Sequence, residues 1–280
     1  VLASDPDADR VGAAVKNNEG EWVLLNGNQT ALMFVYYLIT RWKELGKING
    51  KEYIVKTIVT TELIRTIAEK NGVEVYDVYT GFKWIARDMK KNEGKKNYIG
   101  GGEESYGFLC EDFVRDKDAV SACAILAEIA AWAKDQGITM YQLLQNIYVQ
   151  YGFSKEKGIS VVKKGKSGAE EIEAMMKHFR ENPLQEIAGS KVTLFYDYAS
   201  LKGKDYVENE TLTLDMPTTS NVLQYFTEDG TKVSIRPSGT EPKIKFYCEV
   251  HSKVKSLDEL PAAEKAGAEK IEAIKASLGI

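Results

Sequence analysis

The stretch EYIVKTIVTTELIRTIAEKNGVEVYDVY occupies residues 52–79 and sets the fold class. Its first part, 52–59, and its last part, 73–79, are short runs rich in β-branched and aromatic residues, which is typical of buried strands. The middle part, 60–72, begins with two threonines, carries apolar residues at helical spacing and closes on Gly72, which predicts a capped helix. Strand, helix and strand in this order predict a parallel pair joined by a crossover helix.

The same alternation extends outward over about residues 20–152 and predicts an α/β, parallel-sheet Rossmann-like domain. It includes a short strand at 22–25 and a capped helix at 28–45. After Gly152 the pattern changes to a strand, an amphipathic helix, a row of strands and a closing charged helix, which predicts a smaller α+β domain with an antiparallel sheet. The strands of that row are expected at 191–200, 211–216, 221–227, 231–238 and 242–250.

Composition excludes several functional classes. Hydrophobic residues make up 44% of the 280 residues and the net charge is -4, which argues against a strongly basic nucleic-acid binder and against a polybasic membrane arm. The three cysteines are far apart and only two histidines occur, so a disulfide framework and thiolate or histidine-rich metal sites are not expected. No apolar run reaches membrane-spanning length and no signal peptide is visible. The sequence predicts a reduced, soluble, cytoplasmic protein with no membrane or nucleic-acid partner.

An alternating acidic run, DPDADR, places Asp5, Asp7 and Asp9 directly before Arg10. Three hard oxygen ligands suit magnesium or calcium. An EF-hand is excluded, because its sixth position requires glycine where Arg10 stands and its twelfth requires glutamate where Lys16 stands. A solvated acidic turn is the alternative. Arg10 favours the metal site, since an arginine beside metal-bound carboxylates can hold a phosphate that also reaches the metal.

Two further loops carry polar chemistry. GGGEESYG at 100–107 is expected to turn sharply on its glycines at a strand end, where Glu103, Glu104 and Ser105 offer acceptors and a hydroxyl to a polyol such as a sugar. An ordinary glycine turn with exposed acids is the alternative.

RPSGTEPK at 236–243 supplies a guanidinium, two hydroxyls, a glycine and an ammonium within eight residues. This chemistry suits a phosphate, and the backbone around Gly239 can form an anion nest. The spacing of a Walker loop is absent. A tight polar hairpin is the alternative.

Together, and in this order, the three loops resemble the α-D-phosphohexomutase superfamily. DPDADR resembles its metal-binding loop, GEESYG its sugar-binding loop and RPSGTEP its phosphate-binding loop. TGFKWI at 80–85 is more similar to the phosphoglucomutase and phosphopentomutase branch than to the short phosphomannomutase branch. The resemblance covers the whole chain.

The resemblance implies a role for each matching residue. Magnesium would bind Asp5, Asp7 and Asp9, and Arg10 would contact a phosphoserine. Lys117, in VRDKDAV, is similar to a lysine described as a proton shuttle, although a plain surface charge is the alternative. Sugar hydroxyls would meet Glu103 and Ser105, with Lys56 and the turn at 81–83 also facing the sugar. The substrate phosphate that does not react would be held by Arg236, Ser238, Gly239 and Thr240.

The family has four domains, and the reactive serine lies in the first, in a loop resembling TASHNP. No such sequence occurs in this chain, and a strand that begins at Val1 looks cut from something longer. The resemblance therefore implies that residues 1–19 end domain 2 and carry the metal loop, 20–152 form domain 3, and 153–280 form a linker and domain 4. The missing N-terminal domains would be partners of this portion, which is expected to be inactive alone.

The implied reaction interconverts sugar 1-phosphates and 6-phosphates, with glucose as the expected sugar, through phosphoserine and a sugar bisphosphate that also serves as activator. Phosphopentomutase or phosphomannomutase specificity stays open. One rival is a metal-dependent phosphatase with Asp5 as nucleophile, which is disfavoured because the DxDx[TV] pattern is absent. The other rival is a sugar-phosphate binding module without catalysis.

Overall fold

The computed structural model describes residues 1–163, 165–239 and 241–280. They form two compact units: Val1–Gly152 with Val254–Leu257, and Phe153–Lys253 with Asp258–Ile280. No helix in the described part of the chain is both long enough and apolar enough to cross a bilayer.

The first unit contains two sheets and the helices around them. A three-stranded antiparallel sheet consists of β1 (Leu2–Ser4), β2 (Val11–Lys16) and β3 (Trp22–Leu25). A four-stranded sheet, in the spatial order β5-β4-β6-β7, consists of β4 (Glu52–Thr57), β5 (Glu74–Val78), β6 (Asn97–Gly102) and β7 (Phe108–Cys110). The helices are α1 (Gly27–Glu44), α2 (Leu63–Lys70), α3 (Phe82–Asn92), α4 (Ala119–Asp135) and α5 (Met140–Tyr151).

Among the described strands, parallel pairing occurs only between β4 and its two neighbours in the four-stranded sheet. Strand β4 pairs in parallel with β5 and with β6, whereas β7 pairs antiparallel with β6. The expectation that the parallel pattern starts near residue 20 is wrong, because β3 pairs antiparallel with β2. Only residues 17–21 connect those two strands, and a parallel crossover needs a dozen residues or more.

Close backbone approach explains the glycine run of β6. The expectation that these glycines make the turn is wrong, since all three lie within the strand and none has a left-handed φ. A side chain on Gly101 would begin 2.3 Å from the carbonyl oxygen of Val55 and 2.7 Å from the hydroxyl of Tyr98. One on Gly102 would begin 2.6 Å from the carbonyl oxygen of Gly107. Any larger residue would therefore push β6 away from its neighbours.

Local capping fixes two of the predicted helices. Asn26 accepts a hydrogen bond from the backbone N–H of Gln29, and the Gln29 side chain accepts one from the Asn26 backbone, which closes a capping box at the start of α1. Thr139 and Gln142 make the same reciprocal pair at the start of α5. These helices start where the sequence places them because both partners lie within four residues of each other.

The second unit is built on an antiparallel sheet, which confirms the predicted sheet type. Its main strands run in the spatial order β12-β11-β10-β13-β14-β15-β8, and β9 pairs with β10. The strands are β8 (Phe153–Val162), β9 (Glu186–Ile187), β10 (Ser190–Asp197), β11 (Lys202–Asp205), β12 (Glu210–Thr213), β13 (Leu223–Thr227), β14 (Lys232–Pro237) and β15 (Lys243–Ser252). Helices α6 (Gly165–Glu181) and α7 (Leu260–Leu278) contribute to one core with the sheet, and a 3₁₀ turn at Leu257–Glu259 precedes α7.

Strands β8 and β15 form a ladder of ten residue pairs, from Val162 opposite Lys243 to Phe153 opposite Ser252. The chain enters the second unit at Phe153 and first leaves it after Lys253. Both connections therefore start at the same end of one ladder.

A buried charged group lies near this end of the ladder. Lys232 on β14 contacts Glu249 on β15 at 3.0 Å, and both side chains are almost fully buried. The other Glu249 oxygen lies 2.9 Å from Nε2 of His251, and Glu156 on β8 faces the same group. Burial lowers the pKa of His251, but the carboxylates of Glu249 and Glu156 outweigh burial and raise the pKa above its ordinary 6.5.

This raised pKa predicts a pH-dependent stability of the second unit. Protonated His251 stabilises the fold fully below pH 6.5, and the contribution is lost as the pH rises through the higher folded-state pKa. We expect the free energy of unfolding to fall as the pH rises from 6.5 through the folded-state pKa of His251, and His251→Gln to remove most of that difference.

The four tryptophans allow the two units to be followed separately. Trp22, Trp42, Trp84 and Trp132 all lie in the first unit, so their fluorescence follows its unfolding alone, while far-UV circular dichroism follows both units. Substitution of the other histidine, His178→Gln, is the control. An unchanged pH dependence in His251→Gln would contradict the assignment.

Candidate functional site

The acidic loop joins β1 to β2 and is folded by its own first residue. Oδ1 of Asp5 accepts hydrogen bonds from the backbone N–H groups of Asp9 and Arg10, each at 3.1 Å. Ala8 adopts a left-handed φ of 55°, which turns the chain back. As a result, one carboxylate oxygen from each of Asp5, Asp7 and Asp9 lies within 4.8 Å of the others. The structure thus brings the three predicted metal ligands together.

The carboxylates of this loop are oriented so that some oxygens remain for a cation. Oδ2 of Asp9 accepts from Nζ of Lys117 at 2.7 Å, while Oδ1 of Asp9 is buried and accepts no hydrogen bond from any described residue. The guanidinium of Arg10 lies 3.5 Å from that oxygen. Desolvation raises the pKa of Asp5, but the N–H groups of Arg10 and Asp9 outweigh it and hold the pKa below its usual value. Three carboxylates brought together and oriented in this way fit a hard divalent cation.

Lys117 lies between several loops and is not a plain surface charge, since its side chain is 13% exposed. Its ammonium contacts Asp9 and Asp116 and lies 5.5 Å from the centre of the Phe82 ring. Its Cδ lies only 2.6 Å from where a side chain on Gly107 would begin. Desolvation lowers the pKa of Lys117, but Asp9 and Asp116 outweigh it and raise the pKa. Lys117 therefore remains protonated beside the acidic loop.

The loop that carries the predicted sugar ligands connects β6 to β7. Its ends are joined by the N–H of Glu103, which donates to the carbonyl oxygen of Gly107 at 2.8 Å. Glu103 is 8% exposed, and its Oε1 accepts from the backbone N–H of Gly81 at 2.7 Å. Ser105 is half-buried, and the left-handed residue of the turn is Tyr106, with a φ of 74°. The structure therefore places Glu103 and Ser105 in one short loop, with one Glu103 oxygen already engaged.

Backbone hydrogen bonds connect the acidic loop to the loop at residues 103–107, which carries the predicted sugar ligands and is called the sugar loop below. The N–H of Val11 donates to the carbonyl oxygen of Tyr106 at 3.1 Å. The N–H of Ala119 donates to the carbonyl oxygen of Ala8 at 3.0 Å, which also fixes the segment that carries Lys117. These contacts make the acidic loop, Lys117 and the sugar loop one continuous surface of the first unit.

The prediction that Lys56 faces the sugar is wrong. Its side chain is 1% exposed, and its ammonium lies 2.8 Å from carboxylate oxygens of both Glu62 and Asp77. A buried cation of this kind is stable only with such partners, so Lys56 serves the fold at the end of β4.

The RPSGTEPK loop joins β14 to β15 in the second unit. Arg236 is half-buried and lies opposite Lys245 in the ladder. The N–H of Ser238 donates to the carbonyl oxygen of Lys243 at 2.8 Å, and Oγ of Ser238 accepts from the N–H of Glu241 at 3.3 Å. The ammonium of Lys243 pairs with the carboxylate of Glu241. The loop is therefore a closed hairpin end with a guanidinium at its base.

The hairpin end leaves free space beside Gly239. Its φ is not left-handed, and among the described residues no atom beyond its chain neighbours lies within 4 Å of where a side chain would begin. Thr240, the fourth predicted phosphate ligand, lies outside the described residues.

Three positions that support the sugar loop, Gly27, Thr57 and Thr60, were not identified from the sequence. A side chain on Gly27 would begin 2.0 Å from the carbonyl oxygen of Glu104 and 2.8 Å from the backbone nitrogen of Tyr106. Buried Thr57 and Thr60 approach the Glu104 carboxylate from the end of β4. The only signal in the sequence was a glycine at the first position of a helix, where larger residues are equally acceptable.

Family models match most of the chain. Phosphoglucomutase/phosphomannomutase, alpha/beta/alpha domain III, matches residues 26–151, and the C-terminal domain of the same family matches residues 161–267. The chain belongs to the phosphoglucomutase/phosphomannomutase family. This places it in the α-D-phosphohexomutase superfamily and confirms the resemblance seen in the three loops.

Individual relatives agree with this assignment. A phosphoglucomutase of Staphylococcus aureus strain MRSA252 is 38% identical over 247 residues, which cover 88% of this chain and 44% of that protein. The chain therefore spans about half the length of the curated relatives it matches.

Solved structures share the fold at low identity. A parafusin (phosphoglucomutase) from Paramecium matches 97% of this chain and 45% of its own, with a TM-score of 0.59 and 19% identity. An N-acetylphosphoglucosamine mutase of Aspergillus fumigatus, solved with GlcNAc-6P and magnesium, matches 100% and 49%, with a TM-score of 0.50 and 13% identity.

Proposed function

We propose that this chain supplies the metal, sugar and phosphate loops of a phosphohexomutase that interconverts hexose 1-phosphates and 6-phosphates, with glucose as the preferred sugar. The observation that carries the proposal is the continuous surface formed by the acidic loop, Lys117 and the sugar loop. Phosphoryl transfer depends on positioning and charge neutralisation, and this surface offers both. The magnesium and GlcNAc-6P of the Aspergillus relative, and the name of the Staphylococcus relatives, support the same chemistry.

The acidic loop is proposed to hold magnesium through Asp5, Asp7 and Asp9. When bound, the ion would neutralise charge on the transferring phosphoryl group. Arg10, whose guanidinium already lies beside the loop, would hold an oxygen of the same group. Lys117 would hold a proton at Nζ for exchange with the reacting sugar hydroxyl.

Substrate recognition is proposed to use both the sugar loop and the phosphate loop. Glu103 and Ser105 would accept and donate hydrogen bonds to sugar hydroxyls. Arg236, Ser238, Gly239 and Thr240 would hold the phosphate that does not react. Glucose 1,6-bisphosphate would serve as intermediate and activator, so both loops must accept the sugar in two orientations.

The remaining catalytic part is proposed to lie upstream, in a domain with a phosphoserine. On this proposal residues 1–19 end domain 2, residues 20–152 form a Rossmann-like domain 3, and residues 153–280 form a linker and domain 4. The chain by itself would bind ligands without turnover.

An assay with and without the upstream part tests this function. The 280-residue chain and the same chain extended upstream would be mixed with glucose 1-phosphate, magnesium and a trace of glucose 1,6-bisphosphate, and glucose 6-phosphate would be measured. We expect turnover only by the extended chain, and a loss of about 100-fold in kcat/KM with Arg236→Ala, because a charge-assisted phosphate contact is removed. Lys253→Ala, an exposed cation of the same unit, is the control.

The outcomes separate the rival functions. Phosphate release by the 280-residue chain alone would favour a phosphatase that uses Asp5. Binding of sugar phosphates without turnover by the extended chain would favour a binding module. Turnover with mannose or pentose phosphates, but not with glucose phosphates, would support the mutase reaction and show that glucose is not the substrate.

A further inference from the structure

The second glutamate of the sugar loop is held by the end of β4. Oε2 of Glu104 lies 3.3 Å from Oγ1 of Thr57 and 3.4 Å from Oγ1 of Thr60. The two hydroxyl oxygens are 2.8 Å apart, and both threonines are 0% exposed. A half-buried carboxylate therefore meets a pair of buried hydroxyls at the base of the loop.

The buried hydroxyls of Thr57 and Thr60 need hydrogen-bond partners, and the Glu104 carboxylate is one of them. The two hydroxyls carry two protons, and each buried hydroxyl needs a partner. The two hydroxyls are within reach of each other, and both are within reach of Oε2 of Glu104. A carboxylate oxygen accepts from a hydroxyl, so these hydrogen bonds connect the end of β4 to the loop.

The neighbouring glutamate is held from a different direction. Oε1 of Glu103 accepts from the N–H of Gly81, which precedes α3. The backbone of Glu104 lies against the start of α1, where only the absence of a side chain on Gly27 leaves room. Three elements thus fix two consecutive residues, and the position of Ser105 follows from theirs.

We propose that Thr57 and Thr60, acting through Glu104, are positioning residues that set where Glu103 and Ser105 meet the sugar. The inference rests on the proposed function and deepens it, because it assigns Glu104 to holding the loop and leaves sugar contact to its neighbours. Removing these hydroxyls would impair recognition of the sugar and leave recognition of phosphate intact, since the phosphate loop is in the second unit.

The test compares two ligands on one protein. Glucose 6-phosphate and inorganic phosphate would be titrated into the 280-residue chain in the presence of magnesium, and both dissociation constants would be measured by amide NMR shifts. Thr57→Val/Thr60→Val keeps the buried volume and removes both hydroxyls. We expect it to raise the dissociation constant of glucose 6-phosphate about tenfold, which corresponds to the loss of one hydrogen bond to the sugar. The dissociation constant of inorganic phosphate should not change.

Variants of the carboxylate complete the test. Glu104→Ala should match the double threonine variant, whereas Glu104→Gln keeps an acceptor oxygen and should bind glucose 6-phosphate nearly as the wild type does. Thr40→Val is the control, because its hydroxyl donates to the carbonyl oxygen of Tyr36 within α1.

Each contrary outcome has one meaning. If Thr57→Val/Thr60→Val still prefers glucose 6-phosphate over inorganic phosphate as strongly as the wild type does, the inference is overturned. The proposed function is not affected by that result. A fall in both affinities together with a lower Tm would also overturn it, because it would show a general loss of structure. A wild-type chain that binds glucose 6-phosphate no better than inorganic phosphate would overturn the proposed function, and the inference with it.

Discussion

Alanine at position 27 is expected to displace the sugar loop and to lower the free energy of unfolding of the first unit by about 3 kcal/mol. The new Cβ would lie 2.0 Å from the carbonyl oxygen of Glu104 and 2.8 Å from the nitrogen of Tyr106. Both are backbone atoms, so no side-chain rotation can relieve the clash. Urea unfolding followed by tryptophan fluorescence measures the stability. Titration with glucose 6-phosphate measures the binding affinity that depends on the sugar loop.

A matched glycine is available for comparison with Gly27→Ala. Gly12 lies in β2 of the same unit, and among the described residues a side chain there would meet only the carbonyl oxygen of Ala3, at 3.9 Å. Gly12→Ala should therefore leave stability and sugar binding close to the wild-type values. If Gly27→Ala behaves like Gly12→Ala, then α1 does not support the sugar loop.

Neutralising Asp7 is expected to weaken magnesium binding by about 100-fold or more, since a hard divalent cation depends on carboxylate charge. Asp7 is exposed, so Asp7→Asn removes a charge without disturbing packing. The hydrogen bonds that fold the loop are accepted by the Asp5 carboxylate and remain. Isothermal titration with magnesium chloride measures the affinity directly and does not depend on turnover.

Asp135→Asn is the control for this loss. Asp135 is an exposed acid at the end of α4, outside the acidic loop. Its substitution by asparagine removes the same amount of charge as Asp7→Asn. We expect a change in magnesium affinity smaller than twofold. Equal losses in the two variants would show that magnesium responds to net charge, and the acidic loop would then not be its site.

The features that could be predicted from the sequence are those that depend on interactions between residues close together in the chain. The starts of α1 and α5 follow from reciprocal caps within four residues, and the acidic loop follows from the spacing of its aspartates. All three candidate loops were proposed from residue type and order, because a loop of this kind presents particular groups to solvent. The family assignment was available for the same reason.

Long-range packing explains what the sequence did not predict. The glycines of β6 resembled a turn, since the nearby carbonyl of Val55 belongs to a distant segment. Lys56 looked like a ligand because its partners Glu62 and Asp77 become neighbours only in the fold. Strand β11 was missed because KGKD lacks apolar alternation, and it forms by pairing with β10 and β12.

The ladder between β8 and β15 has a consequence for the order of folding during synthesis. Its paired residues are separated by between about 80 and 100 positions along the chain, which makes it a contact of high sequence separation. At ribosomal rates of about 5–20 residues per second, β8 leaves the ribosome roughly 4–20 seconds before β15 exists. During that time the long edge of β8 has no strand to pair with, so this is the interval in which the nascent chain depends most on chaperone protection.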